Sequence, residues 1–268
     1  MAEKTVVFIT GANTGIGYET VRALVGQTAR TYHVFLGSRS VEKGNAAASA
    51  LRAEFPQTTS VVEVIQIDVS SDESINAAYE TVKASPGYVD VLVNNAGNSL
   101  EMKMFKGEYT MREAWNQMYD VNVTGAQILT HTFVPLLLKS RTRDARLLFL
   151  TSGLAQLETM YREYYPGPPP PAGWPKQAVM SPDGYRSSKT ALNMMMLAWH
   201  WNLKEDGVKV WSISPGFLAT DLGGAKELLK ARGAGDPATG GVLIRRVIEG
   251  ERDGDVGKVV DGQGVQSF

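Results

Sequence analysis

From residue 5 onward the chain alternates short runs rich in β-branched residues with longer amphipathic stretches, and few folds accommodate that alternation. A short apolar run without period-two relief must be covered on both faces, so the runs read as strands of one sheet and the stretches as its covering helices. The runs fall at Val6–Ile9, His33–Leu36, Val61–Ile67, Val89–Val93, Leu147–Leu150, Lys209–Ile213 and Gly257–Val260. The amphipathic stretches begin near Gly15, Val41, Ser71, Met111, Gly184 and Thr239, and Ser70-x-x-Glu73 reads as a capping box opening the third. The expectation is an α/β fold: a single doubly wound domain over residues 1–268, with a seven-stranded, mainly parallel sheet and helices on both faces.

Composition narrows the function classes. With 43% hydrophobic and 21% charged residues, the chain is an ordinary globular one and not a disordered or fibrous one. Lys+Arg total 27 against Asp+Glu 28, so no field exists to hold nucleic acid or an anionic membrane surface. The lack of cysteine excludes disulfides, thiol catalysis, Fe–S clusters and Cys-ligated zinc. His33, His131 and His200 are scattered without ligand spacing, and no metal is expected. The apolar Val6–Ile9 run is shorter than a signal-peptide core or a membrane span, which points to a soluble cytoplasmic protein.

The first strand ends in Thr10-Gly11-Ala12-Asn13-Thr14-Gly15-Ile16-Gly17 and leads straight into a helix. Glycine at the first position permits a tight turn, at the second it lets backbone approach a pyrophosphate, and at the third it lets helix and strand pack closely. The helix N-terminus then receives the phosphates, so this half reads as a Rossmann-type dinucleotide site. An acidic residue at the end of the second strand would select NAD; here small Ser38 stands there with Arg39 beside it, a guanidinium suited to the 2′-phosphate of NADP. Asp68 and Val69 close the third strand at the same sheet edge, with Asp68 a candidate acceptor for the adenine amine. Asn94, Asn95, Ala96 and Gly97 close the fourth, the amides bonding neighbouring loops and Gly97 letting the chain pass the cofactor.

Asn122, then Thr151-Ser152-Gly153 at the fifth strand end, then Tyr185-Arg186-Ser187-Ser188-Lys189 at a helix start follow in order. Tyr185 and Lys189 share a helix face. With the glycine turn, Asn-Asn-Ala-Gly and Pro215-Gly216-x-x-x-Thr220, the joint pattern resembles the classical short-chain dehydrogenase/reductase family, of carbonyl-reductase-like, NADPH-preferring type, over nearly the whole chain. The resemblance implies NADP(H) as cofactor and Asn122, Ser152, Tyr185 and Lys189 as the catalytic set. Tyr185 would be the general acid/base, Ser152 would orient the substrate oxygen, Lys189 would lower the tyrosine pKa and bond the nicotinamide ribose, and Asn122 would hold a water linking Lys189 to solvent. Pro215, Gly216, Leu218 and Thr220 would line the carboxamide end, with Leu218 in place of the usual valine or isoleucine and Thr14 where many NADP-using relatives carry a basic residue.

One segment breaks the rhythm. Residues 153–183 carry Pro166, Pro168, Pro169, Pro170, Pro171, Pro175 and Pro182 together with Tyr161, Tyr164, Tyr165 and Trp174, a proline-rich insertion beside the active site whose aromatics would pack against something. Loops 98–109, 153–183 and 217–236 would face the substrate, and Met102, Met104, Phe105, Leu154, Tyr161, Trp174, Phe217 and Leu222 give them an apolar lining suited to a bulky hydrophobic ketone or aldehyde. The stretch Ala191–Trp201 is apolar around its whole circumference and is expected to be buried on more than one side. Coverage by the insertion favours a monomer; pairing with a second copy is the alternative. Alternative functions are a nucleotide-binding scaffold, a non-redox natural-product cyclase, or a SAM-dependent methyltransferase, the last disfavoured by the Tyr-x-x-x-Lys and Asn-Asn-Ala-Gly constellation.

Overall fold

Along the first strand, Val6 and Phe8 enter one hydrophobic cluster while Val7 and Ile9 enter another, so both faces of the sheet are covered. The computed structural model describes residues 4–27, 29–162, 169–176, 181–224 and 226–268. In chain order its elements begin β1 (Thr5–Ile9), α1 (Gly15–Val25), β2 (Tyr32–Ser38), α2 (Val41–Glu54), β3 (Val61–Gln66), α3 (Asp72–Ala84) and β4 (Val91–Asn94). They continue with α4 (Glu101–Phe105), α5 (Met111–Tyr119), a π-helical turn at Asp120–Thr124, α6 (Gly125–Leu137), β5 (Arg146–Leu150) and α7 (Leu157–Tyr161). The last are α8 (Asp183–Asn202), β6 (Lys209–Ile213), α9 (Lys226–Ala231), α10 (Pro237–Ile248), β7 (Val259–Val260) and β8 (Val265–Gln266).

The sheet order is β3-β2-β1-β4-β5-β6-β7-β8, parallel from β3 to β7. α3, α6 and α8 cover one face through Ile75, Val82, Leu129, Phe133, Leu192 and Met196; α1, α2 and α10 cover the other through Val21, Leu24, Leu51, Leu243 and Ile244. The chain reverses direction across the sheet at β1, between β2 and β4, and opens there the crevice in which such folds bind ligands. Far from it, at the opposite edge, Arg146 is buried and paired with Asp253 at 2.6 Å and with Asp144 at 2.5 Å.

Four sequence expectations need correction. The sheet has eight strands rather than seven, because β8 turns back antiparallel on β7 through Asp261–Gly264, where Asp261 Oδ1 accepts from the Gln263 and Gly264 N–H groups at 2.8 and 2.7 Å. Two residues are too few to show periodicity, although the turn chemistry was visible. The third helix is capped by Ser71, whose Oγ accepts from the Ser74 N–H at 3.2 Å, and not by Ser70; the true capping box is Thr110 with Glu113. In α8 the buried positions are Gly184, Ser188, Lys189, Leu192, Asn193 and Met196, whereas Met194 and Trp201 are 68% and 75% exposed, so the helix buries one side only. Tyr161 and Trp174 of the insertion are 88% and 86% exposed, so neither is buried against the body; Tyr164, Tyr165, Pro166 and Pro168 lie outside the described residues. Among the described residues no helix is long and apolar enough to cross a membrane.

α10 rests on α1 where Gly241 faces Glu19: a Cβ there would collide with the Glu19 carbonyl carbon and oxygen, both backbone atoms that cannot rotate away. Gly241→Ala should therefore push the two helices apart and destabilise the protein by about 1–3 kcal/mol. A urea midpoint equal to that of the parent would show that this contact is not limiting.

Candidate active site

The carboxyl ends of β1, β4 and β5 and the head of α8 converge on one crevice. Gly11 and Gly15 of the first turn both hold left-handed backbone, at φ 61° and 57°, conformations that cost a residue with a side chain energy. Gly17 has a different reason: its Cβ would sit 2.5 Å from Asn95 Nδ2 and 2.6 Å from the Gly11 carbonyl oxygen. Asn95 Nδ2 donates to the carbonyls of Thr10 and Gly11 at 2.7 and 3.1 Å, so the loop after β4 fastens the glycine turn. Thr14 is the N-cap of α1 but makes no side-chain cap, and no acidic residue lies in the first turn. The helix thus presents amide donors and a positive dipole end to an anion without internal competition.

Ser38 is buried at the end of β2 and donates to the Ser40 carbonyl at 2.8 Å; Arg39 next to it is exposed. Asp68 Oδ1 accepts from the Ser70 N–H and hydroxyl at 3.0 and 2.7 Å, closing an Asx turn, and Val69 beside it is buried. Thr220 reaches the glycine turn, with its Cβ 3.8 Å from where a Gly15 Cβ would stand. Leu218 packs near Gly240 and, through the parallel bridge to Gly235, closes the base of loop 217–236, where the Ala219 N–H donates to the Gly235 carbonyl at 2.8 Å. Gly216, in left-handed backbone at φ 101°, follows Pro215 into this loop.

At the centre, Lys189 is 4% exposed and its Nζ donates to the Leu150 carbonyl at 2.8 Å. Burial lowers its pKa to about 8. The ammonium lies 5.8 Å from the centre of the Tyr185 ring. Burial pushes the Tyr185 phenol up to about 12, the Ser152 hydroxyl hydrogen-bonded to it works in the other direction, and the charge of Glu101 adds to the rise. A Cβ on Gly97 would come within 3.1 Å of Asn122 Oδ1 and 3.3 Å of Lys189 Nζ, so this glycine lets backbone pass directly over the pair.

Asn122 sits in the π-helical turn, 1% exposed. Its Oδ1 accepts from the Asn98 N–H at 2.8 Å, and its Nδ2 donates to the Asn98 carbonyl at 2.9 Å and to Ser188 Oγ at 2.9 Å. Such a turn widens a helix locally and is a common device at functional sites. Asn122, Ser152, Tyr185 and Lys189, with the first and last 67 positions apart in sequence, thus meet in one place.

Comparison with known proteins decides the family. The family model for short chain dehydrogenases matches residues 5–166. A short-chain dehydrogenase/reductase of Talaromyces stipitatus, tropE, is 52% identical over 278 residues, covering 100% of this chain and 99% of that one. The chain belongs to the short-chain dehydrogenase/reductase family. Another member, eupG of a Phoma species, is 44% identical over 93% of this chain and 92% of its own. Among solved structures, the dehydrogenase/reductase fold is shared with the NADPH-bound carbonyl reductase from chicken fatty liver, at TM-score 0.78 and 21% identity over 100% of both chains. It is shared also with an alcohol dehydrogenase of the archaeon Thermococcus sibiricus in complex with 5-hydroxy-NADP, at TM-score 0.74 and 26% identity over 97% and 96%.

Sequence reading missed two polar residues of the dehydrogenase site. Glu101 is 4% exposed and accepts the Tyr185 N–H on Oε1 at 2.6 Å; Ser188 donates to the Tyr185 carbonyl at 2.7 Å. Nothing in the spacing links Glu101 to a tyrosine 84 positions on.

The buried ammonium gives a pH signature. Lys189 titrates near 8 in the folded protein against 10.5 unfolded, so between those values the unfolded chain holds more protons and stability rises with pH. The stability of the cofactor-free parent relative to Lys189→Met should therefore grow by on the order of 2 kcal/mol from pH 8 to 10. Parallel stability–pH curves from urea titrations would contradict the burial assigned to this charge.

Proposed function

We propose that the protein is an NADP(H)-dependent carbonyl reductase or alcohol dehydrogenase that reduces a bulky hydrophobic ketone or aldehyde. The observation that carries this reading is the pairing of a buried Tyr185 phenol with Ser152 and the Lys189 ammonium beside a glycine turn built for a dinucleotide. The residues fit the cofactor: glycines that hold left-handed turns, α1 amides facing no acid of their own, and Gly97 leaving room over Lys189. In this reading Gly11, Asn13, Thr14, Gly15, Ile16 and Gly17 cradle the pyrophosphate, Ser38 and Arg39 take the adenosine ribose and its 2′-phosphate, and Asp68 with Val69 faces the adenine. Asn95, Ala96 and Gly97 line the middle, and Pro215, Gly216, Leu218 and Thr220 close on the carboxamide.

NADPH, when bound, supplies the hydride. Ser152 donates a hydrogen bond to the substrate carbonyl and aims it at Tyr185, which gives its phenolic proton to the oxygen that becomes the alcohol. The Lys189 ammonium stabilises the phenolate left behind, and Asn122 holds the loop after β4 in place. The NADP-bound relatives named above are consistent with the choice of cofactor. The substrate class rests on exposed Phe105 of α4 and Leu154 of the turn after β5, both on segments packed against α8, which offer apolar area near the head of that helix. The nucleotide-binding scaffold and the cyclase remain the alternatives, and the intact tyrosine–lysine pair argues for redox chemistry over either.

Two experiments test this reading. Tyr185→Phe should abolish nearly all reduction while NADPH still binds, because only the transferable proton is lost; near-parental turnover would remove Tyr185 from its role. Arg39→Ala should weaken NADPH by roughly tenfold to a hundredfold, the equivalent of one charge-assisted phosphate contact, and leave NADH within about twofold. Equal losses for both cofactors, measured by fluorescence titration, would reject selection by Arg39.

A further inference from the structure

We propose that Glu101 is a positioning residue of this site: its carboxylate holds the Tyr185 backbone at the head of α8 and closes a ring of hydrogen bonds around the proton donor. The inference rests on the reading of Tyr185 as that donor. The ring can be followed atom by atom. The Tyr185 N–H donates to Glu101 Oε1 at 2.6 Å, and Glu101 Oε2 accepts from the Ser99 hydroxyl at 2.7 Å. Ser99 adjoins Asn98, whose N–H and carbonyl are both held by the Asn122 amide at 2.8 and 2.9 Å. Asn122 Nδ2 donates to Ser188 Oγ at 2.9 Å, and the Ser188 hydroxyl donates to the Tyr185 carbonyl at 2.7 Å. Both backbone polar groups of Tyr185 are thereby tied, through α4 on one side and the π-helical turn on the other.

The glycine before Tyr185 makes the approach possible. A Cβ on Gly184 would collide with the Met118 methyl of α5 and press on Trp115, and Glu101 Oε1 stands 3.4 Å from that position, so the glycine lets α5 and the carboxylate close in on the head of α8. Gly223 plays a matching part, because its Cβ would lie 3.0 Å from the Ser99 carbonyl. The ring therefore lies against loop 217–236 at Ser99.

A carboxylate in this place also sets chemistry. The groups facing Tyr185 are the Ser152 hydroxyl from the end of β5, the Lys189 ammonium one turn along α8, Glu101 from α4, and the apolar Trp115 and Met118 of α5; Asp183 lies in the first turn of the same helix. Lys189 favours the phenolate, whereas the negative charge of Glu101 favours the phenol. Glu101 thus keeps the proton on Tyr185 and biases the site toward carbonyl reduction, which consumes that proton, over alcohol oxidation, which needs the phenolate.

Glu101→Gln separates the two contributions, since its amide oxygen still accepts the Tyr185 N–H and its NH2 group can donate to Ser99 while the charge is gone. With NADPH and the bulky diketone phenanthrenequinone as probe, the alkaline limb of kcat should move down by roughly half to one pH unit, with KM for NADPH within about twofold of the parent. In the cofactor-free protein, tyrosinate absorbance of the Gln variant, taken as the difference from its Tyr185→Phe counterpart, should rise at correspondingly lower pH than in the parent. Glu101→Ala, which also opens the ring, should lower kcat about tenfold further through misplacement of the phenol. A Gln variant with parental titration overturns the inference even if the Ala variant fails to fold, and the titration decides it even if the diketone is not turned over. If Tyr185→Phe retains turnover, the reading of the donor fails first; if Tyr185→Phe is inactive and Glu101→Gln keeps the parental pH dependence, only the role of Glu101 is lost.

Discussion

Much of the site is arranged around one buried charge. The Lys189 ammonium lies inside the protein and donates to the Leu150 carbonyl at the end of β5, and burial depresses its pKa. An ammonium taken from water must recover hydrogen bonds and favourable charge or lose its proton. That requirement rationalises its neighbours: a glycine at position 97 so that backbone can come close, a phenol whose ionised form is its natural partner, and an amide at Asn122 that fastens the loop above it. Burial pushes the phenol up and pulls the ammonium down, so the pKa values of the pair move apart from their ordinary ones.

The sheet makes this arrangement rigid. β1, β4 and β5 are adjacent and parallel, so the residues that follow them, Gly11, Asn95 and Ser152, emerge at the same edge of the sheet. Thr10 Oγ1 accepts from the N–H groups of Asn95 and Ala96 at 3.1 and 3.0 Å, so the loops are bonded across the edge and not merely adjacent. α8 then supplies Tyr185 and Lys189 from one face, packed by Leu192 and Met196 onto the core below. The opposing edge, with the Arg146 pairs to Asp144 and Asp253, carries structural polarity away from the crevice.

Local patterns carried the fold a long way. Apolar runs bounded by turn residues named the strands, the Gly11–Gly17 turn marked the start of α1, and the ordered set Asn122, Ser152, Tyr185 and Lys189 pointed to the family, because each of these depends on spacing of a few residues or on order along the chain. Features that failed were of two kinds. β8 and α4 are too short for a period to register, and the helix cap at Ser71 differs from the expected Ser70 by one position, within the ordinary uncertainty of a helix end. The exposed Tyr161, Trp174, Met194 and Trp201 failed for a different reason: hydrophobic side chains are assigned to the interior on average, and composition does not say which of them the fold leaves outside.

What the sequence by itself determined was therefore the α/β architecture, the glycine turn that opens α1 and the membership of the family, all of which are written in residue types at local spacing and in their order. What only the tertiary structure decided was how those residues are held: Asn122 bonded to Asn98 and Ser188, Gly17 pressed against Asn95, and Glu101 on the Tyr185 amide. The physical reason is distance along the chain. A hydrogen bond acts over about 3 Å in space, and when its partners stand tens of positions apart no periodicity or propensity connects them until the parallel sheet has brought its carboxyl ends to one edge.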